Sequence, residues 1–245
     1  MHPNVNFGIK IMRNTGKKLA KSFDDATMYA NSAHQDVSRS LGNLVSSLNQ
    51  SIELQLAESF SRDKLFFSGN ISSEKNLPTK YWLFDGLCSV SNLENKFPFI
   101  SMSLTYFENN EAQHAVLYNP LTDEVYSATK GAGAQFNQRR LKYTPQDVIA
   151  MYYNESNTHA PDQLQQSQYR RVGSTQLSIV LTASNRGDFC IIPTSQLNSP
   201  KMSAAKLIAK ESGLNFFKQE NQTTWICSSK YLDRNTCQIH ANLAS

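Results

Sequence analysis

Four apolar segments joined by short polar turns constrain this chain more than any other feature. Ile100, Met102, Leu104 and Tyr106 alternate between Phe99 and Phe107, the two-residue period of a half-buried strand. Glu108-Asn109-Asn110-Glu111 reads as a turn, because Asn side chains cap their own backbone. The segment from His114 to Tyr118 returns as a paired strand, Asn119-Pro120 turns again, and Glu124 to Thr129 follows. Gly131 and Gly133 permit a tight reversal into a last segment, Ala134 to Leu141. Strands this close in sequence pair with their neighbours, so the middle of the chain is predicted to be an antiparallel meander.

Helices flank the meander. Residues 4–23 carry Val5, Ile9, Met12, Leu19, Ala20 and Phe23 on one side and Lys10, Arg13, Lys17 and Lys21 on another. A basic stripe of this kind is a solvated helix face or a surface facing an acidic protein or RNA. Residues 24–40 are polar without a pattern. Leu41, Leu44, Val45, Leu48, Ile52, Leu56 and Phe60 keep the spacing of one buried helix face over 41–60. Leu65 to Phe67 and Tyr81 to Asp85 read as strands, with a loop from Ser68 to Thr79 between them.

Beyond the meander, strands are predicted at Ile149–Tyr153, Phe189–Ile192 and Trp225–Ser228, and helices at Ser174–Ser184 and Lys230–Leu243. Gln163–Tyr169 is polar and compatible with a helix. Ser199-Pro200 has the form of a helix N-cap followed by proline at the first helical position, and Gly213 ends that helix. The order helix–helix–strands–helix–strand–helix–strand indicates an α+β fold, a layered αβαβα sandwich. It is expected to form one unit over 1–245, with an N-terminal half at 1–145 and a C-terminal half at 146–245.

The chain has 245 residues, 40% hydrophobic and 18% charged, which suits a globular protein and not a disordered one. Its net charge of +4 does not by itself imply nucleic acid. No apolar stretch approaches the roughly 20 residues of a membrane helix. The start, Met1-His2-Pro3, lacks the form of a secretory signal. Cys88, Cys190, Cys227 and Cys237 are scattered, as reduced thiols of a cytoplasmic protein are. The five histidines show no metal spacing. Gly131-Ala132-Gly133 lacks the lysine and hydroxyl residue of a phosphate loop.

The run Tyr81-Trp82-Leu83-Phe84 ends at Asp85 and continues as Gly86-Leu87-Cys88-Ser89-Val90. Tyr118-Asn119-Pro120, followed by Glu124 to Asn137 with Gly131, Gly133 and Ala134 in place, resembles a Tyr-Asp-Pro…Gly-x-Gly-Ala-x-x-Asn signature. Arg170-Arg171-Val172-Gly173-Ser174 resembles an Arg-x-x-Gly-Ser segment, and Glu211-Ser212-Gly213 a Glu-Ala-Gly helix end. These segments are similar to those of the inositol monophosphatase family. The opening Met1-His2-Pro3 and the basic first helix look like its bacterial SuhB branch. The likeness runs to about Leu232.

The resemblance implies hydrolysis of phosphate monoesters with Mg²⁺ held by carboxylates, and it shows where this chain departs. The family's first strand-end aspartate is kept as Asp85. Its second falls at Cys88, the threonine that helps to activate water at Val90, and the last metal aspartate at Lys201. The glutamate pair falls near Ser68-Gly69, with Glu74 further along the loop. The helix aspartate that partners the threonine falls at Val45, and the acidic residue that grips inositol near Ile192. Gly173, Ser174 and Thr175 remain as backbone donors for a sugar.

With Asp85 the only metal carboxylate retained, the expectation is a degenerate site: no metal, no cofactor and no catalytic residue. A lysine near a helix N-terminus opposes the helix dipole by roughly 0.3–1 kcal/mol. Either Lys201 pairs with Asp85 in place of the metal, or it is exposed and Asp85 finds separate hydrogen bonds. The SuhB branch joins Nus-factor complexes on RNA polymerase during ribosomal RNA transcription, and the family is usually dimeric. The resemblance therefore implies a catalytically inactive homodimeric binding factor, a pseudoenzyme, with Lys10, Arg13, Lys17 and Lys21 as a contact surface and direct RNA binding left open. The alternative it implies is a Mg²⁺-dependent inositol-1-monophosphatase with an atypical ligand set.

Overall fold

A computed structural model describes residues 2–25, 34–60, 62–71, 76–145, 151–155, 168–218 and 224–228. The chain opens with α1 (Pro3–Asp24), whose N-cap His2 accepts a hydrogen bond on Nδ1 from the Asn4 amide, with Pro3 at the first helical position. The second helix, α2, spans His34–Ser59 and so starts seven residues before the apolar spacing begins. Once Leu44, Leu48, Ile52 and Leu56 hold the helix to the core, adding a polar turn at its start costs little.

A seven-stranded sheet follows: β1 (Lys64–Phe67), β2 (Lys80–Cys88), β3 (Ser101–Glu108), β4 (Glu111–Asn119), β5 (Glu124–Thr129), β6 (Gly133–Phe136) and β7 (Arg139–Leu141). The strands lie in chain order. All pairs are antiparallel except β1 with β2. The predicted meander is thus present, with one correction. The segment 134–141 is a hairpin, because Asn137 and Gln138 both adopt positive φ (45° and 67°) and form a turn without glycine. The Asn137 side chain holds this turn by accepting from the Val125 amide at 2.8 Å.

Alternation along the strands sends side chains into two large cores and a smaller third cluster of Ile71, Tyr81 and Leu83. Trp82, Phe84, Met102, Leu104, Tyr106, Val116 and Tyr118 face α1 and α2. Ala115, Leu117, Tyr126 and Ala128 face the opposite way, toward α4 (Thr175–Ala183) and α6 (Ser203–Ser212). Beyond these helices lies a second sheet, of β8 (Met151–Asn154), β9 (Gln168–Arg170), β10 (Cys190–Pro193), β11 (Asn215–Lys218) and β12 (Thr224–Ser228), in the order β11-β12-β10-β8-β9. Among the described residues the layering is helix, sheet, helix, sheet, four of the five layers of the expected αβαβα sandwich. Residues 168–170 form a strand and not a helix, because β9 pairs in parallel with β8. The helix expected at 230–243 lies outside the described residues.

Because α4 sits between two sheets, every residue from Thr175 to Ala183 is buried, not only one face of it. On the other side, α1 crosses β4 so closely that a Cβ on Gly16 would lie 2.5 Å from the Tyr118 ring. At the start of α1, the His2 ring stacks on His114 of β4, with centroids 3.9 Å apart.

Two outcomes follow. Gly16→Val is expected to lower stability by about 1–3 kcal/mol through overpacking, read by urea denaturation. Burial, and next the charge of His2, push the His114 pKa down to about 4, against a smaller opposing pull from Glu108. A depressed histidine stabilises the fold above its unfolded pKa near 6.5, and that contribution is lost as pH falls toward 4. Stability measured across this window should fall more steeply in the native chain than in His114→Phe.

Candidate functional site

Asp85 lies near the C-terminal end of β2, at an irregularity in the β2–β3 register between Asp85 and Cys88. Its side chain is only 5% exposed. An uncompensated carboxylate in such a place would cost on the order of several kcal/mol, so its partners decide what the site is. Ser68, in the turn after β1, donates its hydroxyl to Asp85 Oδ1 at 2.5 Å. Gln176, at the start of α4 and fully buried, donates Nε2 to Asp85 Oδ2 at 2.9 Å. The same Nε2 donates to the Lys201 carbonyl at 2.9 Å, and Gln176 Oε1 accepts from Ser101 Oγ at 3.3 Å.

Lys201 sits in a 3-10 turn, Pro200–Met202, that leads into α6; Ser199 caps the turn, accepting from the Lys201 amide. Its Nζ lies 3.9 Å from Asp85 Oδ1, while 45% of its side chain stays exposed. The ammonium therefore pairs with the carboxylate at the long end of ion-pair distance, and solvent screens it. Hydrogen bonds to an ionised group contribute about 1.5–3 kcal/mol each, so Ser68 and Gln176 hold Asp85 more firmly than Lys201 does. Both alternatives drawn from the sequence hold in part: the lysine is close, and the carboxylate has separate donors. Burial still wins and raises the Asp85 pKa, opposed by Ser68, Lys201 and Gln176 in that order.

The residues after Asp85 close the site. Cys88 Sγ lies 3.4 Å from Ser174 Oγ and 3.6 Å from Ser89 Oγ. Desolvation first, and then the Asp85 charge, raise its thiol pKa, so it is protonated at neutral pH and is no anionic ligand. Val90 opens a short helix, α3 (Val90–Glu94), and is 41% exposed. Opposite, Gly173 adopts φ +68°, with the Asn92 side chain so near that an added Cβ would lie 2.8 Å from its oxygen. Asn92 Nδ2 donates to Phe99 O and Val172 O, and Ser89 Oγ donates to Gly173 O, which tie the strand end to the segment that opens α4. Ser174 then caps α4, accepting from the Leu177 amide.

These groups border a pocket of about 480 Å³ lined by Cys88, Arg171, Gly173, Thr175, Gln196 and Lys201, among others. The structure thus brings together Asp85, Cys88, Lys201, Gly173, Ser174 and Thr175 as the sequence predicts. It places others elsewhere. Ile192 is fully buried in β10, and the pocket wall there comes instead from Ser195 and Gln196 of α5 (Thr194–Leu197). Val45 packs against the first core. Glu74 lies outside the described residues. Sequence reasoning missed Gln176 and the role of Ser68 as a donor. The signal for Gln176 was present: it is the one amide in a helix otherwise made of apolar and small hydroxyl residues.

The basic stripe lies away from this pocket. Lys10, Lys17 and Lys21 are exposed on α1, and Arg13 pairs with Asp123 at 3.1 Å. Among the described residues no helix is long and apolar enough to cross a membrane.

Comparisons with known proteins agree with this geometry. A model of the inositol monophosphatase family matches residues 1–244. The chain is 25% identical over 232 residues to the Nus factor SuhB of Vibrio cholerae, covering 87% of this chain and 84% of the relative. It is 24% identical over 203 residues to the Nus factor SuhB of Escherichia coli, covering 77% and 75%. Among solved structures it is similar to the extragenic suppressor protein suhB of Bartonella henselae, with TM-score 0.75, 18% identity and 98% of each chain covered. It is also similar to an IMPase of Thermotoga maritima, with TM-score 0.73, 16% identity, and 99% of this chain and 98% of that one covered. At these identities the solved structures bear on the fold.

The Mg²⁺ of the family does not fit the residues at Asp85. Mg²⁺ demands near-octahedral oxygen ligands. Here a single carboxylate faces a hydroxyl donor, an amide donor and an ammonium, all presenting hydrogens. Among the described residues no three His, Cys, Asp or Glu side chains converge as a metal site would require.

Gln176→Leu tests this arrangement. It takes a donor from the ionised carboxylate and leaves Ser101 and the Lys201 carbonyl short of a partner, so a loss of about 1–3 kcal/mol is expected by chemical denaturation. The sign with pH is set by Asp85. A carboxylate with a raised folded pKa contributes its stability below the unfolded pKa, and this is lost as pH rises through the folded value. The variant raises that pKa further, so its deficit should grow from acid toward neutral pH.

Proposed function

The chain belongs to the inositol monophosphatase family, and we propose that it is a member without metal-dependent hydrolysis that acts as a binding or scaffold factor. The observation that carries this reading is the set of donors around Asp85. In a phosphatase of this kind the metal polarises the phosphoryl oxygens and lowers the pKa of the attacking water. Here both Asp85 oxygens accept from neutral side chains, and the cation beside them is the ammonium of Lys201. The thiol of Cys88 and the apolar side chain of Val90 supply neither a hard ligand nor a hydroxyl for activating water.

The partner we propose is the transcription machinery, in an antitermination role with RNA polymerase during ribosomal RNA synthesis, in a cytoplasmic homodimer. Similarity to proteins named Nus factor SuhB supports this reading. The exposed lysines Lys10, Lys17 and Lys21 on α1 offer a surface for an acidic protein or RNA.

A ligand that binds only the native state must raise its melting temperature. Millimolar Mg²⁺ is therefore expected to leave the melting temperature unchanged, with no Mg²⁺-dependent release of phosphate from inositol 1-phosphate. A Mg²⁺-dependent shift with turnover would establish the phosphatase alternative instead. The triple variant Ser68→Glu, Cys88→Asp, Lys201→Asp, which restores carboxylates around Asp85, is expected to gain a Mg²⁺-dependent shift. For the partner, affinity capture from the source cell should recover transcription components, and should lose them when Lys10, Lys17 and Lys21 are changed to Glu. Recovery of none would remove that partner and leave the question of hydrolysis untouched.

A further inference from the structure

Lys206 and Lys210 lie four residues apart on α6, so they project from one face of the helix. That face borders a cavity of about 300 Å³ between α6 and the β3–β4 hairpin. Its apolar lining comes from Phe107 and Ala112, which are cross-strand partners, and from Leu207. The acids that border the cavity are already engaged. Glu211 accepts from the Gly131 and Gly133 amides at 2.8 Å each, and Glu111 pairs with Lys130. Neither Lys206 nor Lys210 has an ion-pair partner among the described residues. Burial, and next the charge of Lys210, push the Lys206 pKa below its ordinary value. Three lysines, Lys130, Lys206 and Lys210, thus meet two carboxylates, Glu111 and Glu211, around a concave, partly apolar site, which leaves an excess of positive charge on the α6 side.

We propose that this cavity binds a small organic anion, a carboxylate or phosphate ester with an apolar body. The anionic head sits between Lys206 and Lys210, and the body lies on Phe107, Ala112 and Leu207. Two ammonium groups on one helix face attract an anion, and the apolar lining selects against a bare inorganic ion. The site is separate from the pocket at Asp85, whose cationic lining is Lys201 and Arg171.

Calorimetric titration of the full chain with benzoate, phenyl phosphate, inorganic phosphate and benzyl alcohol tests this. Benzoate and phenyl phosphate should bind, inorganic phosphate at least about tenfold more weakly, and benzyl alcohol not at all. Lys206→Met and Lys210→Met keep the aliphatic stems and relieve a like-charge contact, so both variants should melt no lower than the native chain. Each should weaken benzoate about tenfold or more. Lys201→Met, in the other pocket, should leave benzoate affinity within about twofold. Absence of benzoate binding, undiminished binding in a folded Lys206→Met, or loss of binding in Lys201→Met would overturn the proposal.

Discussion

A carboxylate buried at the end of a strand must be given partners, and the way Asp85 receives them organises this molecule. Its partners come from three separate places, the turn after β1, the first turn of α4 and the 3-10 turn before α6, and Gln176 accepts in turn from Ser101 of β3. One acidic group therefore links the first sheet to both helices that separate it from the second sheet. The linkage is made by hydrogen bonds from neutral groups, with a cation of the chain itself nearby. That choice of partners sets the chemistry. Each Asp85 oxygen already accepts one hydrogen bond, and the charge nearest to it is the ammonium of Lys201.

Local patterns were the most readable part of the sequence. The alternation of Ile100, Met102, Leu104 and Tyr106, the stripe of Val5, Ile9, Met12 and Leu19, and the Ser199-Pro200 and Gly213 helix ends all rest on near-neighbour physics and appear where expected. That Cys88 and Lys201 stand where the resemblance implies carboxylates rests on that likeness together with residue identity. What was not legible depends on contacts far apart in sequence. Gln176 meets Asp85 across 91 positions, and nothing in its neighbourhood along the chain names that partner. The parallel pairing that makes a strand of 168–170 depends on β8, and the turn at Asn137-Gln138 depends on a long-range bond to Val125. The position of Ile192 shows the opposite failure. A likeness to the family placed it at the pocket, yet the apolar character of the residue alone argued for the core where it lies.

The two pockets differ in the state of their charges. At the Asp85 pocket the fixed charges are largely matched, Lys201 against Asp85, and Glu155 holds the Val172 amide and the Ser178 hydroxyl. At the cavity beside α6, three lysines face two carboxylates, one paired with Lys130 and the other bonded to backbone amides. The two sites sit on neighbouring segments, the 3-10 turn and the helix that continues it.

The bonds of Asn92 have a mechanical meaning. One side chain grips the backbone on either side of the cleft, at Phe99 and at Val172, and Ser89 adds a second stitch to Gly173. A rim sewn in this way owes its outline to the chain's own bonds, so the mouth of the cleft is a rigid frame whatever the cleft holds.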